Sequence, residues 1–466
     1  MVVEEGIEPE PDVASSAATS GRRGLIRNAA GSLGLNLVNV AATLLTTILL
    51  ARILGVSEFG TYSFVIATVT LLVVPTVVGV DRLLTRDIAV YAAGAAYDLA
   101  RGLLRRSQQV TLATSLAIGL TTAAVAWFAA DGQLTTGLVA FWAGLAALPF
   151  LALGKVAQGG LMGLHHILAG QIPDYVLRPA VLVALVGVAA IGGVALDAPI
   201  AAALYTISVA VAAIAAIVLL YARLPTEMRH AVPAFRGRAW TRAAITLGVI
   251  SGAAVLNSQV GITLLGLLST TDSAGLYAVA QRGALLVAFP LAAVSVALAP
   301  TAARLWSTGE RQRLQSLVTL GAWAALLAGV PLVVGYLAFG RSILTLLFGP
   351  GYEDAYASLV VLSVGQLVNA ATGPVATLLI MTGQQRKAAV CIVAGTIINL
   401  VTAVVLIPTL DTSGAALAAA AALTISNVAL VIVSLRELHV NPTALNFLTR
   451  SPSSNEPRPP TQSPGV

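Results

Sequence analysis

Twelve long apolar runs, separated by short polar gaps, make up most of this 466-residue chain. LGLNLVNVAATLLTTILL (33–50) and ALAAAAALTISNVALVIVSL (416–435) are typical of them. A hydrocarbon core about 30 Å thick takes roughly 20 helical residues to cross. Lipid offers the backbone no hydrogen-bond partner, so runs of this length must be helices. The pattern predicts spans over 30–51, 59–80, 105–129, 136–160, 173–194, 199–221, 243–268, 275–298, 315–338, 355–381, 387–408 and 413–435. Residues 85–105 can be read as an amphipathic surface segment outside this set.

Composition agrees with the pattern. The chain is 57% hydrophobic and 10% charged, against about 25% charged in an average soluble protein. The pI of 9.7 would suggest nucleic acid if the basic residues clustered. They instead fall in alternate gaps: Arg22, Arg23 and Arg27; Arg82, Arg86, Arg101, Arg105 and Arg106; Arg223, Arg229, Arg236, Arg238 and Arg242; Arg304, Arg311 and Arg313; Arg386 and Lys387; Arg436. The opposite gaps hold Glu58, Asp131, Asp197, Asp272, Glu353, Asp354 and Asp411, with Arg52 and Arg341. This is the positive-inside distribution, and it puts both termini in the cytoplasm. No nucleic-acid partner is expected. The acidic, Ser/Ala-rich start is unlike a cleaved signal peptide. Only two lysines stand among many arginines, and Ala, Val and Gly abound, which points to a high-GC bacterial genome and a bacterial plasma membrane.

The chain also repeats itself at half its length. LGVSEFGTYSFVIAT (54–68) resembles LSTTDSAGLYAVAQR (268–282), pairing Gly60 with Gly275 and Tyr62 with Tyr277; LDAPIAAAL (196–204) resembles LDTSGAALA (410–418) at an offset that agrees within one residue. Six helices per half give two parallel repeats related by an axis along the membrane normal. The expected fold is therefore an all-α polytopic membrane protein, with about twelve transmembrane helices in two six-helix lobes around a central cavity. Its divisions are a disordered tail over 1–27, lobes over 28–222 and 243–436, a basic cytoplasmic linker over 223–242, and a disordered tail over 437–466.

Three segments carry a family resemblance: ARILGVSEFGTYSFV (51–65), LLFGPGYEDAYASLVVLSVGQLV (346–368) with GQQRKA (383–388), and INLVTAVVLIPTLDTSGAALAAA (398–420). They resemble the O-antigen and exopolysaccharide flippases of the multidrug/oligosaccharidyl-lipid/polysaccharide exporter superfamily. The likeness covers roughly 25–437. It implies export of a lipid-linked oligosaccharide, on an undecaprenyl-diphosphate carrier, through a cavity between the lobes. Glycan polymerase and glycosyltransferases are the protein partners such a role implies, beside membrane lipids.

Charge at bilayer depth costs at least about 2.5–3.5 kcal/mol on insertion scales, so each such group needs a reason. Arg178 lies one turn from Asp174 on the same helix face. Either the two neutralise each other, or Arg178 faces the cavity, where its planar fork suits a diphosphate. Arg282 is a second cavity candidate, with hydrogen bonding to the opposite lobe's backbone as the alternative. Lys155 either lines the cavity or snorkels to the interface, and Arg52 reads as a helix C-terminal cap. Among the amides, Asn36 and Asn39 share a face, whereas Asn257 and Gln259 point to different ones. Helix–helix hydrogen bonding is the default for such residues, and sugar hydroxyls are the functional alternative. His165 and His166 have no accompanying ligand cluster, so neither a metal nor a cofactor is expected. Nucleophile–base and phosphate-cradling motifs are also missing from the sequence, so the chain is expected not to be an enzyme.

Two other transporter readings are a cation-coupled multidrug exporter, disfavoured by first and seventh helices without a mid-span acid, and a lipid II flippase, which resembles fourteen-helix chains. A glycan polymerase or transferase would need a substantial outer loop. A non-transporting scaffold for glycan assembly is the remaining class.

Overall fold

The computed structural model describes residues 12–444, with side chains from Gly31 onward apart from Leu33 and Ile250. Among the described residues the regular structure is helical throughout. One lobe consists of α1 (Asp12–Val77), α2 (Val80–Ala93), α3 (Tyr97–Ala129), α4 (Thr136–Leu145), α5 (Leu148–Gly163), α6 (Ile167–Ile172), α7 (Arg178–Ile191) and α8 (Ala198–Ala222). The short α9 (Thr226–His230) leads to the second lobe: α10 (Gly237–Leu268), α11 (Thr271–Ser307), α12 (Arg311–Phe348), α13 (Tyr356–Thr372), α14 (Val375–Met381) and α15 (Gln385–Glu437).

Ten helical stretches are long and apolar enough to cross a membrane. Two are of double length, 44 residues over Gly34–Val77 and 53 over α15. At a rise of about 1.5 Å per residue each exceeds twice the hydrocarbon thickness. Each is broken, at Gly55 (φ 73°, ψ 179°) and at Asp411 (φ 49°, ψ −128°). The Asp411 break folds the chain back, so that a Cβ on Gly414 would lie 2.4 Å from the Leu406 carbonyl oxygen. These two fused pairs separate the ten stretches from the expected count of about twelve spans. Side chains such as Ile191 (91% exposed) and Phe128 (77%) face outward, as lipid-facing positions do.

Several expectations change. The predicted 355–381 span is interrupted at Gly373 (φ 74°) and Pro374, because proline lacks an N–H and disfavours helix in the residue before it. The 85–105 segment resolves into α2 and the start of α3. The 223–242 linker is a packed element: Met228 is buried, Arg101 Nη1 donates to the Ala231 carbonyl (2.7 Å) and Ala234 N–H to Asp98 O (3.0 Å). The tail expected from 437 stays packed as far as Ala444, whose N–H donates to Ala371 O (2.9 Å), with Val440 buried. Helix α1 likewise starts within the segment expected as a free N-terminal tail. The rest of both tails lies outside the described residues.

The largest buried cluster runs across both lobes, from Leu50, Phe59 and Val65 to Leu265, Tyr277, Phe348 and Tyr352. The second half of α1 forms the seam, packing along α10 and α11. A Cβ on Gly60 would lie 2.1 Å from the Thr271 carbonyl oxygen, and one on Gly275 would lie 2.8 Å from the Gly60 Cα. At the other end of the seam, a Cβ on Gly79 would meet Gly248 N at 2.3 Å. Backbone touches backbone at both ends, which only glycine allows. Next to Gly60 the lobes are also tied by side chains. Arg52 donates through Nε to Leu347 O (2.8 Å) and through Nη2 to Leu346 O, and the Tyr352 hydroxyl donates to Ala51 O (3.2 Å). Arg52 is thus a C-terminal cap for α12 in the opposite lobe, rather than for its own helix.

Candidate functional site

Between the two glycine contacts lies a cavity of about 230 Å³. Its wall begins with the threonines of α1. Thr43, Thr46 and Thr47 fall on one face at helical spacing and line it together with Ser63 and Thr70 from beyond the Gly55 break. The Thr46 and Thr47 hydroxyls donate to the Ala42 and Thr43 carbonyls (2.7 and 2.8 Å). Their protons are satisfied within the helix, so their lone pairs remain for acceptor contacts. Tyr62 and Tyr205, both buried, stand edge to face at 6.3 Å between centroids.

Two cations complete this wall. Arg178, from the first lobe, and Arg282, from α11 of the second, line the same cavity. They are close enough to feel each other's charge. Arg178 also faces a smaller pocket inside the first lobe, together with Lys155, Gln158 and Asp174. There Asp174 Oδ2 accepts from Lys155 Nζ (2.9 Å), while Asp174 Oδ1 pairs with Arg178 Nη1 (3.2 Å). The backbone under this pair is π-helical over Pro173–Leu177, a feature that often marks functional positions in helices. The two sequence alternatives for Arg178 therefore coexist: it is paired with Asp174 and it faces the cavity. Counting Lys155, Arg178 and Arg282 against Asp174, the region carries a net charge of +2.

The other candidates divide. Gln259 lines the central cavity. Asn257 does not; it lines a separate pocket within the second lobe, beside Ser258, Tyr277, Gln281 and Gln366, and accepts from Asn399 Nδ2 (2.7 Å). Lys155 borders the intralobe pocket instead of the central one. Asn36 and Asn39 are half-buried on α1 and line none of these three cavities. Depth along the helix explains the contrast: Asn36 and Asn39 sit about two turns before Thr43 and Thr46 on the same face, beyond the end of the cavity lining. His165 lies in the left-handed turn (φ 63°) between α5 and α6, and is not helical. Sequence reasoning passed over the hydroxyls and the two tyrosines. The Thr43/Thr46/Thr47 spacing is a signal for the former; nothing local marks Tyr205.

The family model for polysaccharide biosynthesis proteins matches residues 25–306. The chain belongs to this family. Among solved structures, its fold is similar to an inward-facing multidrug resistance MATE family transporter of the MOP superfamily, with a TM-score of 0.71 at 13% identity over 88% of this chain and 96% of that one. It is similar also to the lipid II flippase MurJ in an inward closed conformation, with a TM-score of 0.62 at 12% identity over 85% and 86%. A third is the MATE multidrug transporter DinF-BH in complex with R6G, with a TM-score of 0.56 at 14% identity over 90% and 96%. No curated protein matches the chain. The family is that of polysaccharide biosynthesis proteins, and at these identities the likeness to the transporters and the flippase is one of fold.

Proposed function

We propose that this protein is a flippase for a lipid-linked oligosaccharide, moving it across a bacterial plasma membrane by alternating access of its two lobes. The observation that carries the reading is the placement of Arg178 and Arg282 from opposite lobes on one hydroxyl-lined cavity. A glycan on a polyprenyl-diphosphate carrier has two charged phosphates to hold and many sugar hydroxyls to accommodate. Guanidinium groups match phosphate oxygens with paired donors and keep their charge in a partly dry site. Gln259 and the threonine oxygens supply neutral acceptors and donors for sugar. Because the cations come from different lobes, each would hold the anion at a different point of the rocking cycle.

In this reading both termini are cytoplasmic and the Gly60–Gly275 end of the seam faces outward. The protein makes and breaks no covalent bond. A multidrug exporter that exchanges cations on a free intramembrane acid is less favoured, since Asp174 is held by two cations. The test is complementation of a glycan-export defect. Arg178→Ala and Arg282→Ala should each abolish surface glycan while the protein's amount in the membrane is unchanged, and Arg→Lys should recover part of it. Full activity of both Ala variants would reject the assignment.

A further inference from the structure

Arg178 borders two cavities and has a resident partner toward each: Asp174 on the intralobe side and the Tyr205 hydroxyl on the central one. Its contact with Asp174 is an ion pair at 3.2 Å, whereas Lys155 donates a hydrogen bond to the other oxygen of the same carboxylate at 2.9 Å. Lys155 Nζ is also within 3.3 Å of Gln158 Oε1, so its position is fixed from two sides. Of the two cations, Arg178 makes the longer contact with the carboxylate, and its other partner, Tyr205, already lies on the central cavity. The backbone at Arg178 is the more adjustable one too. The π-helical turn from Pro173 to Leu177 ends at Arg178, and Pro179 follows. Prolines on both sides and a widened turn between them remove the regular i→i−4 bonds that would resist a small rotation.

We propose that Asp174 is a resident counter-ion, which holds Arg178 while the central cavity is empty and releases it to an incoming phosphate. Lys155 makes the release feasible. When Arg178 turns toward the cavity, Asp174 keeps one cation and is not left as a bare carboxylate in a low-dielectric interior, an arrangement that is strongly unfavourable. The inference rests on the diphosphate-binding reading of the cavity. It adds that two residues outside the central cavity wall, Asp174 and Lys155, set the strength of anion binding, and that they do so in opposite directions. Asp174 competes with the ligand for Arg178; Lys155 weakens that competition. Arg282 has no part in the exchange.

The experiment is titration of the purified full-length protein, in detergent and in nanodiscs, with inorganic pyrophosphate and with farnesyl diphosphate. Asp174→Asn should bind both probes about tenfold more tightly than the unaltered protein. Lys155→Gln should bind them about tenfold more weakly, because Asp174 then depends on Arg178 alone. The double variant should bind at least as tightly as the unaltered protein, since the carboxylate that Lys155 serves is gone; it carries the same prediction if Asp174→Asn alone yields little folded protein. Asp174→Glu should restore the original affinity. A purely structural role would weaken binding in every variant and would not give opposite signs. The same ordering with both probes supports exchange on a lipid-borne diphosphate; an ordering seen with pyrophosphate alone supports exchange on the free anion. If Arg178→Gln and Arg282→Gln weaken binding but neither Asp174→Asn nor the double variant strengthens it, the exchange is overturned and the cavity reading stands. If Arg178→Gln and Arg282→Gln bind as the unaltered protein does, the cavity reading falls and the exchange falls with it.

Discussion

The two lobes handle intramembrane polarity in different ways. The first uses charge: Lys155, Asp174 and Arg178 form a three-membered chain with one positive charge to spare. The second, apart from Arg282 on the cavity wall, uses neutral amides. Asn399 Nδ2 donates to Asn257 Oδ1 (2.7 Å), Asn427 Nδ2 to Asn369 Oδ1 (2.8 Å), and Asn369 Nδ2 to Gln366 Oε1 (3.2 Å). These bonds tie α10 and α13 to α15, and each amide answers another. A mutually satisfied amide pair is cohesion between helices, worth about 0.6 kcal/mol on average in a membrane interior. An ion triad with unequal charges is different, because its surplus cation is available to an anion. The lesson is that equivalent architecture does not imply equivalent work. The tyrosines paired by the sequence repeat show the same divergence: Tyr62 lines the central cavity, while Tyr277 lines the second lobe's own pocket.

The seam is what the lobes have in common, and breaking it should have the largest effect. Gly60→Val would push a side chain into the Thr271 carbonyl; we expect a loss of about 3 kcal/mol or more, seen as a collapse of the monodisperse peak and of the melting temperature. Gly34→Ala, with nothing near its Cβ, should leave both unchanged. An unaffected Gly60 variant would mean that the lobes do not meet there.

Next is the triad. Asp174→Ala leaves Lys155 and Arg178 facing each other without their anion. A loss of about 2–3 kcal/mol is expected, measured by thermal unfolding, with part of it recovered on adding pyrophosphate. Equal loss with and without the anion would make the triad structural and erase the contrast between the lobes.

A smaller effect is expected from the amides. A double-mutant cycle on Asn257→Ala and Asn399→Ala should give a coupling of about 0.6 kcal/mol, with glycan export retained. Abolished export at normal protein levels would assign these amides to the substrate and bring the lobes' roles together. Smallest is Arg52→Gln, which removes a charged cap from α12; about 0.3–1 kcal/mol is expected, read as a shift of a few degrees or less in melting temperature.

Several of these features are legible in the sequence. Helical periodicity separates Asn257 from Gln259, and the two do line different cavities. Periodicity tells which residues share a face, but not which neighbour that face meets. Asn36 and Asn39 illustrate the limit: they share the face of Thr43 and Thr46, about two turns away, yet only the threonines line the cavity. Arg52 shows it again, since its position suggests a C-terminal cap and the helix it caps comes from the other half of the chain.

The sequence by itself determined that this chain crosses a membrane many times and is helical while it does so, because apolar length and backbone hydrogen bonding in lipid leave no other solution. It also singled out the intramembrane charges, because their cost demands a reason. Only the tertiary structure decided that Arg178 and Arg282, 104 positions apart, share one cavity, and that Lys155 and Arg178 share one carboxylate. The packing of one lobe against the other decides such meetings, through contacts like that of Gly60 and Gly275. No local periodicity encodes them, since they depend on how separate helices cross and where their backbones can touch.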